Sequence, residues 1–397
     1  MCNSIAKHLK ERQTDVEFSG LVVGKKFFEF LKKQKEVEYK HLELVQDIYQ
    51  GYEKEEVDMD YLNELEKKYG MPNLWPFVYA DRDIILYNKF AKYSYEDYLK
   101  LLQRFLTRIE ELVEKAKPDV VIFDCVASMP SLILYQIAQK KNIPTLIFTC
   151  VRVKNWMTFS YDTFEGFNKV KENFESGKIR EDKRLEAIEF LKEYRSKKIV
   201  LEYMQTNYDS NAGRQSVGYL IKRIARVPHY VYEYYFGDYS KDYVFKNKGV
   251  IKAAQDELKK NVQRMMIKKT GVFVKPNFKE KFVFFPMHFE PETSTMIQAP
   301  AYVNQINLIE NISKSLPIEY KLYVKEHPQM IADGTRSFSH YQKLREIPNV
   351  VLVDPNVDAH EYIKHCSLVT TINGTVGWEA ILLKKPVITF GRVFYNY

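Results

Sequence analysis

The sequence predicts an α/β protein of two domains built on parallel sheets, with a helical segment between them. Three observations lead there. The chain has 397 residues, 45% hydrophobic and 28% charged, which suits two globular domains of ordinary size. A strand–helix–strand series lies near 119–149. A longer alternating series fills 280–397.

In the first series, Tyr98, Leu101, Leu102, Phe105, Ile109, Leu112 and Val113 recur at helical spacing, so a helix is expected over 97–116, ended by Pro118. The apolar run 119–124 reads as a buried strand, 131–141 as a helix and 143–149 as a second buried strand. That is a βαβ unit, and its strands should lie parallel. In the second series, strands are expected at 282–285, 320–324, 349–353, 368–372 and 386–390. Helices are expected at 303–315, 340–346, 358–365 and 375–383, with Asp358 as an N-cap and a loop after 324. This is a doubly wound sheet, whose ligands sit at the carboxyl ends of its strands.

Residues 151–275 differ. They are polar, rich in Lys and Tyr and helical by pattern, with a tyrosine-dense stretch at 230–243 and a basic one at 246–269. They read as a connector or insertion, either a solvated helical layer or a membrane-facing surface. The expected division is 1–150, 151–275 and 276–397.

Composition excludes several classes. No apolar run approaches the roughly 18–20 residues of a membrane-spanning helix, and residues 1–12 are polar and helix-like, unlike a signal peptide. Cys2, Cys125, Cys150 and Cys366 are far apart and form no C-x-x-C pair, so neither a metal site nor a disulfide framework is expected. Unpaired thiols suit a reducing cytoplasm. The net charge of +8, from 60 Lys+Arg against 52 Asp+Glu, suits a phosphorylated ligand, a polyanion or an anionic membrane surface, and is too weak and scattered for nucleic acid.

The unusual residues of the second domain fall at strand ends. After the first strand, His288 and Glu290 stand two apart, so an extended loop points both one way; His288 would meet phosphate or acceptor, and Glu290 would act as base or sugar clamp. Ser294 and Thr295 follow and offer hydroxyls, or cap a helix. After the second strand comes Lys325-Glu326-His327-Pro328: a cation, an imidazole able to donate to phosphate and a proline that fixes the backbone, or else a surface loop with a capping histidine. After the fourth, Asn373-Gly374-Thr375 enters a helix whose free N–H groups suit an anion, although Asn373 or Thr375 as a cap reads equally well. Glu379, a turn further on, suits a ribose hydroxyl pair or the helix dipole. In the first domain, Asp124 ends its strand as a candidate base or a turn residue.

Lys325–Pro328, Thr371–Ala380, Lys385–Gly391 with Phe394-Tyr395, and the loop Pro286–Glu292 resemble the capsule polysaccharide biosynthesis family, which includes capsular Kdo transferases. The resemblance is good over 280–397, vague over 80–150 and absent over 151–275. It implies a GT-B-like fold, two Rossmann-like domains facing a cleft. It further implies a glycosyltransferase that takes a nucleotide-sugar, such as CMP-Kdo or a UDP-sugar, as donor. The donor would sit on the second domain, with His327 on its phosphate and Asn373, Gly374 and Thr375 beside it. The first domain would present a glycan or glycolipid acceptor. No cofactor and no metal is implied, and peripheral contact with the inner face of the cytoplasmic membrane is a further expectation. Helices returning to the first domain would follow the last strand, and a strand would precede Met1; alternatively the first domain begins at 16–23. Rival readings are a CDP-glycerol or ribitol phosphotransferase, a nucleotide-sugar epimerase and a non-catalytic polysaccharide-binding scaffold.

Overall fold

The computed structural model describes residues 2–13, 15–70, 73–82, 84, 93–154, 156–164, 167–177, 179–196, six positions between 225 and 236, and 250–396. The tyrosine-dense stretch falls almost wholly outside the described residues. The chain forms two compact units, one of 1–149, 158–163 and 228–252, the other of 150–157, 164–227 and 253–397. The middle of the chain is therefore shared between them.

In the first unit, β1 (Phe18–Val22) pairs in parallel with β2 (Tyr39–Leu44). β3 (Val121–Phe123) pairs in parallel with β4 (Thr145–Cys150), and β5 (Met157–Ser160) completes that sheet. The helix Met129–Lys140 makes the crossover, as the βαβ reading requires. The helix Tyr95–Ala116 starts two residues before the expected 97, because Ser94 and Asp97 form a capping box. Lys117, in the left-handed conformation, ends it ahead of Pro118. Its buried stripe includes Leu101, Phe105 and Ile109, in helical register.

The second unit holds β6 (Phe282–Pro286), β7 (Lys321–Lys325), β8 (Val350–Val353), β9 (Leu368–Thr371) and β10 (Val387–Thr389). Their order is β10-β9-β6-β7-β8, all parallel. β6 is apolar without a break because both its faces are covered. Phe282 and Phe284 join one core with Tyr323 and Tyr362, while Val283 and Phe285 join the other with Leu322 and Val324. Each such side chain contributes about 1.5–3 kcal/mol by leaving water. Strand order reverses between β6 and β9, so the crevice of this fold opens at their carboxyl ends.

Two short helices lie where the sequence suggested loops, at Thr293–Met296 and Pro328–Asp333. Proline at the first helical position starts the second of these. Gly334 ends it at φ 62°, with the carbonyl of Lys260 2.8 Å from where a Cβ would stand, so both conformation and space demand glycine. The helix Glu181–Ser196 also belongs to this unit: Arg195 donates to the carbonyl of Leu382 at 2.8 Å. No described helix is long and apolar enough to cross a membrane.

Candidate functional site

The site is built outward from the switch point. β6 runs out into the loop that carries His288, which is buried. The His288 amide donates to Gln305 at 2.8 Å; its carbonyl accepts from Gln305 at 3.2 Å and from Arg336 at 2.8 Å. With the backbone fixed on both sides, the ring direction is fixed too. Nε2 lies 3.3 Å from Thr371 Oγ1 at the end of β9, and Nδ1 lies 3.7 Å from Glu292. A carboxylate only accepts, so a ring proton on Nδ1 faces Glu292 and leaves Nε2 to accept from the Thr371 hydroxyl. The Glu292 carboxyl, raised by burial, ends below its ordinary value because the imidazole stands beside it.

The loop after β9 closes on this ring. The Gly374 amide donates to Thr371 Oγ1 at 3.2 Å. A Cβ on Gly374 would stand 3.0 Å from that oxygen and 3.2 Å from His288 Cε1, so glycine serves the close approach here. Asn373 is buried, donating to the Ser294 carbonyl at 2.7 Å and to Gln298 at 3.2 Å, while its Oδ1 has no hydrogen-bond partner among the described residues. Ser294 Oγ makes no hydrogen bond of normal geometry among the described residues, although its hydroxyl stands close enough to Glu292 to help lower that carboxyl. Such buried atoms are completed by a ligand hydroxyl or an ordered water.

His327, at the end of β7, caps the helix that Pro328 begins. The Gln329 amide donates to its Nδ1 at 3.3 Å, which leaves the proton on Nε2. Burial lowers its pKa to about 4; Glu292 opposes this, and the charges of Lys325, His288 and Arg336 reinforce it. At neutral pH it is an uncharged N–H donor, suited to a phosphoryl oxygen. Lys325 is buried at the same strand end.

Other predicted residues have structural partners. Glu326 is fully buried and accepts from Arg336 and Tyr341, and from its neighbour's amide. Glu290 accepts from Gln305 and pairs with Arg336 at 3.1 Å. A carboxylate inside protein needs a cation and hydrogen bonds, and Arg336 supplies both. The Thr295 hydroxyl donates to the Glu292 carbonyl at 3.0 Å. Thr375 opens the helix Thr375–Leu382, and Glu379 lies one turn on, 3.8 Å from His360. Asp124 belongs to the first unit, where it is exposed after β3 and accepts from the Cys125 amide at 2.7 Å. Among the described residues, no three His, Cys, Asp or Glu side chains converge as metal ligands.

Sequence reasoning missed Arg336, Gln305, Thr371 and Glu292. Arg336 lies in a patternless loop, and nothing local marks it. Thr371 and Glu292 stand inside motifs quoted for the family resemblance, so a strand-end hydroxyl beside a predicted histidine was the available signal.

Residues 219–397 match the family described as capsule polysaccharide biosynthesis protein. The matched segment contains every donor-side residue above, and the resemblance read at 325–328 and 371–380 is borne out. The chain is also similar to Protein FixF of Sinorhizobium fredii, 31% identical over 118 residues, covering 29% of this chain and 27% of FixF. Among solved structures it is similar to the KpsC β-Kdo 2,7 transferase of Thermosulfurimonas dismutans, at 19% identity over 34% of this chain and 43% of that one, with a TM-score of 0.26. It is likewise similar to UDP-GlcNAc 2-epimerase from Neisseria meningitidis bound to UDP-GlcNAc, at 11% identity over 94% of this chain and 82% of that one, with a TM-score of 0.27.

Proposed function

We propose that this protein transfers a sugar from a nucleotide-activated donor to a surface polysaccharide or a lipid-linked acceptor. The observation that carries the reading is the meeting of the His288 and Gly374 loops at the switch point of a parallel sheet, within a capsule-synthesis segment. In this reading the Nε2–H of His327 donates to a donor phosphate, and Lys325 supplies positive charge. The start of the Thr375–Leu382 helix faces the same anion. Asn373 Oδ1 and Ser294 Oγ take ligand hydroxyl or N–H groups. Glu379 holds the ribose. His288, held between Glu292 and Thr371, lies near the reacting centre. Leaving-phosphate stabilisation then rests on hydrogen bonds already in place before reaction.

The test is turnover. The full chain, given CMP-Kdo or UDP-sugars, should release nucleotide only when a capsular glycan or glycolipid acceptor is present. Isomerisation of the sugar nucleotide without acceptor would assign an epimerase instead, and turnover of CDP-glycerol a phosphotransferase.

A further inference from the structure

The helix Lys25–Lys33 of the first unit has two apolar sides. Phe28 and Leu31 face inward and are buried. Phe27 and Phe30 face outward, 45% and 51% exposed, with their rings stacked at 6.0 Å and 17°. Val23, just before the helix, is 62% exposed. Single exposed apolar residues are ordinary, but a stacked aromatic pair with a neighbouring valine is a patch.

Lysines frame that patch. At helical spacing Lys26 and Lys33 share the face of Phe30, and Lys25 and Lys32 stand at the two ends. Glu29 is the one acid in the helix. Among the described residues Lys25, Lys26 and Lys33 form no ion pair, and the acid just beyond, Glu36, is already bound by Lys7. Four lysines against Glu29 leave this face with an excess of positive charge, and aromatic rings lie within it.

A bilayer with anionic headgroups satisfies both features. Aromatic side chains enter the boundary between headgroups and acyl chains, while lysines meet lipid phosphates. A nine-residue helix is too short to span, so it lies along the surface. We propose that the Lys25–Lys33 helix seats this protein on an anionic membrane surface, with Phe27 and Phe30 inserted and Lys26 and Lys33 on lipid phosphates. The inference does not depend on the nucleotide-sugar reading.

The experiment is co-sedimentation of the full chain with phosphatidylcholine vesicles made with and without phosphatidylglycerol. The protein should pellet with the phosphatidylglycerol vesicles, stay in solution with phosphatidylcholine alone, and be released by high salt. Replacing Phe27→Ser with Phe30→Ser, or Lys26→Glu with Lys33→Glu, should each lower the partition roughly tenfold or more. These side chains are exposed, so thermal melting should be unchanged and a folding defect is separable. Three results would overturn the proposal: no pelleting with phosphatidylglycerol, equal pelleting of the variants and wild type, or a solution dimer that the phenylalanine replacements dissociate. The last would show that a second copy covers this face.

Discussion

Arg336 donates to both carboxylate oxygens of Glu326, at 2.7 Å each, and Glu326 is fully buried. The same guanidinium holds the carbonyl of His288 and reaches Glu290. One cation thus joins the strand end that carries His327 to the loop that carries His288. Replacing Arg336→Gln leaves Glu326 buried without a counter-charge, and stability should fall by about 3–5 kcal/mol in urea unfolding. The pair Arg336→Met with Glu326→Leu should recover more than half of that loss. Equal destabilisation by the single and double changes would show that packing, not charge, matters at this place.

His327 and His340 both have pKa values lowered from 6.5 to about 4, chiefly by burial, with Arg336 among the positive charges adding to it. In the unfolded chain both bind protons at their ordinary value, so between pH 6.5 and about 4 the unfolded state holds more protons. Stability should be full above that window and fall as pH drops through it. Urea titrations across the window should show the slope reduced by His340→Gln and by His327→Gln, and reduced most by both. Parallel slopes in wild type and double variant would contradict the assignment.

Gly374→Ala should act on the site more than on the fold. Its methyl would stand 3.2 Å from His288 Cε1 and 3.0 Å from Thr371 Oγ1, with no strain in φ at −72°. Displacing the imidazole should weaken nucleotide binding at least severalfold while thermal unfolding shifts by an amount worth about 1 kcal/mol. Calorimetry and a thermal melt on the same sample check both. A large loss of stability with unchanged binding would remove His288 from the ligand site.

Much of the second unit was legible because a doubly covered parallel strand writes itself as an unbroken apolar run. Phe282–Phe285 and Val350–Val353 were placed within a residue or two for that reason, and Asp358 does cap its helix by accepting from the His360 amide at 3.0 Å. The parallel pairing of β3 with β4 followed from the βαβ spacing. Short helices such as Thr293–Met296 were not legible, since a single turn has no periodicity to read.

The candidate site was legible in its loops and not in its assignments. His288, Asn373 and Gly374 do gather at one edge, because the switch-point rule depends only on strand order. Glu290 and Glu326 look equally reactive in sequence, yet both turn to Arg336, which stands 46 and 10 residues away. That pairing arises only when the loops after β6 and β7 come together. Local sequence holds no trace of it.

The most direct test of the central claim is isothermal titration of the full chain with CMP, UDP and GDP, repeated with His327→Ala. The account predicts saturable binding of at least one nucleotide. The variant should lose roughly 10- to 100-fold in affinity, the range for one hydrogen bond to a charged group, while keeping the wild-type fold. No binding of any of the three by the folded wild-type chain would contradict it.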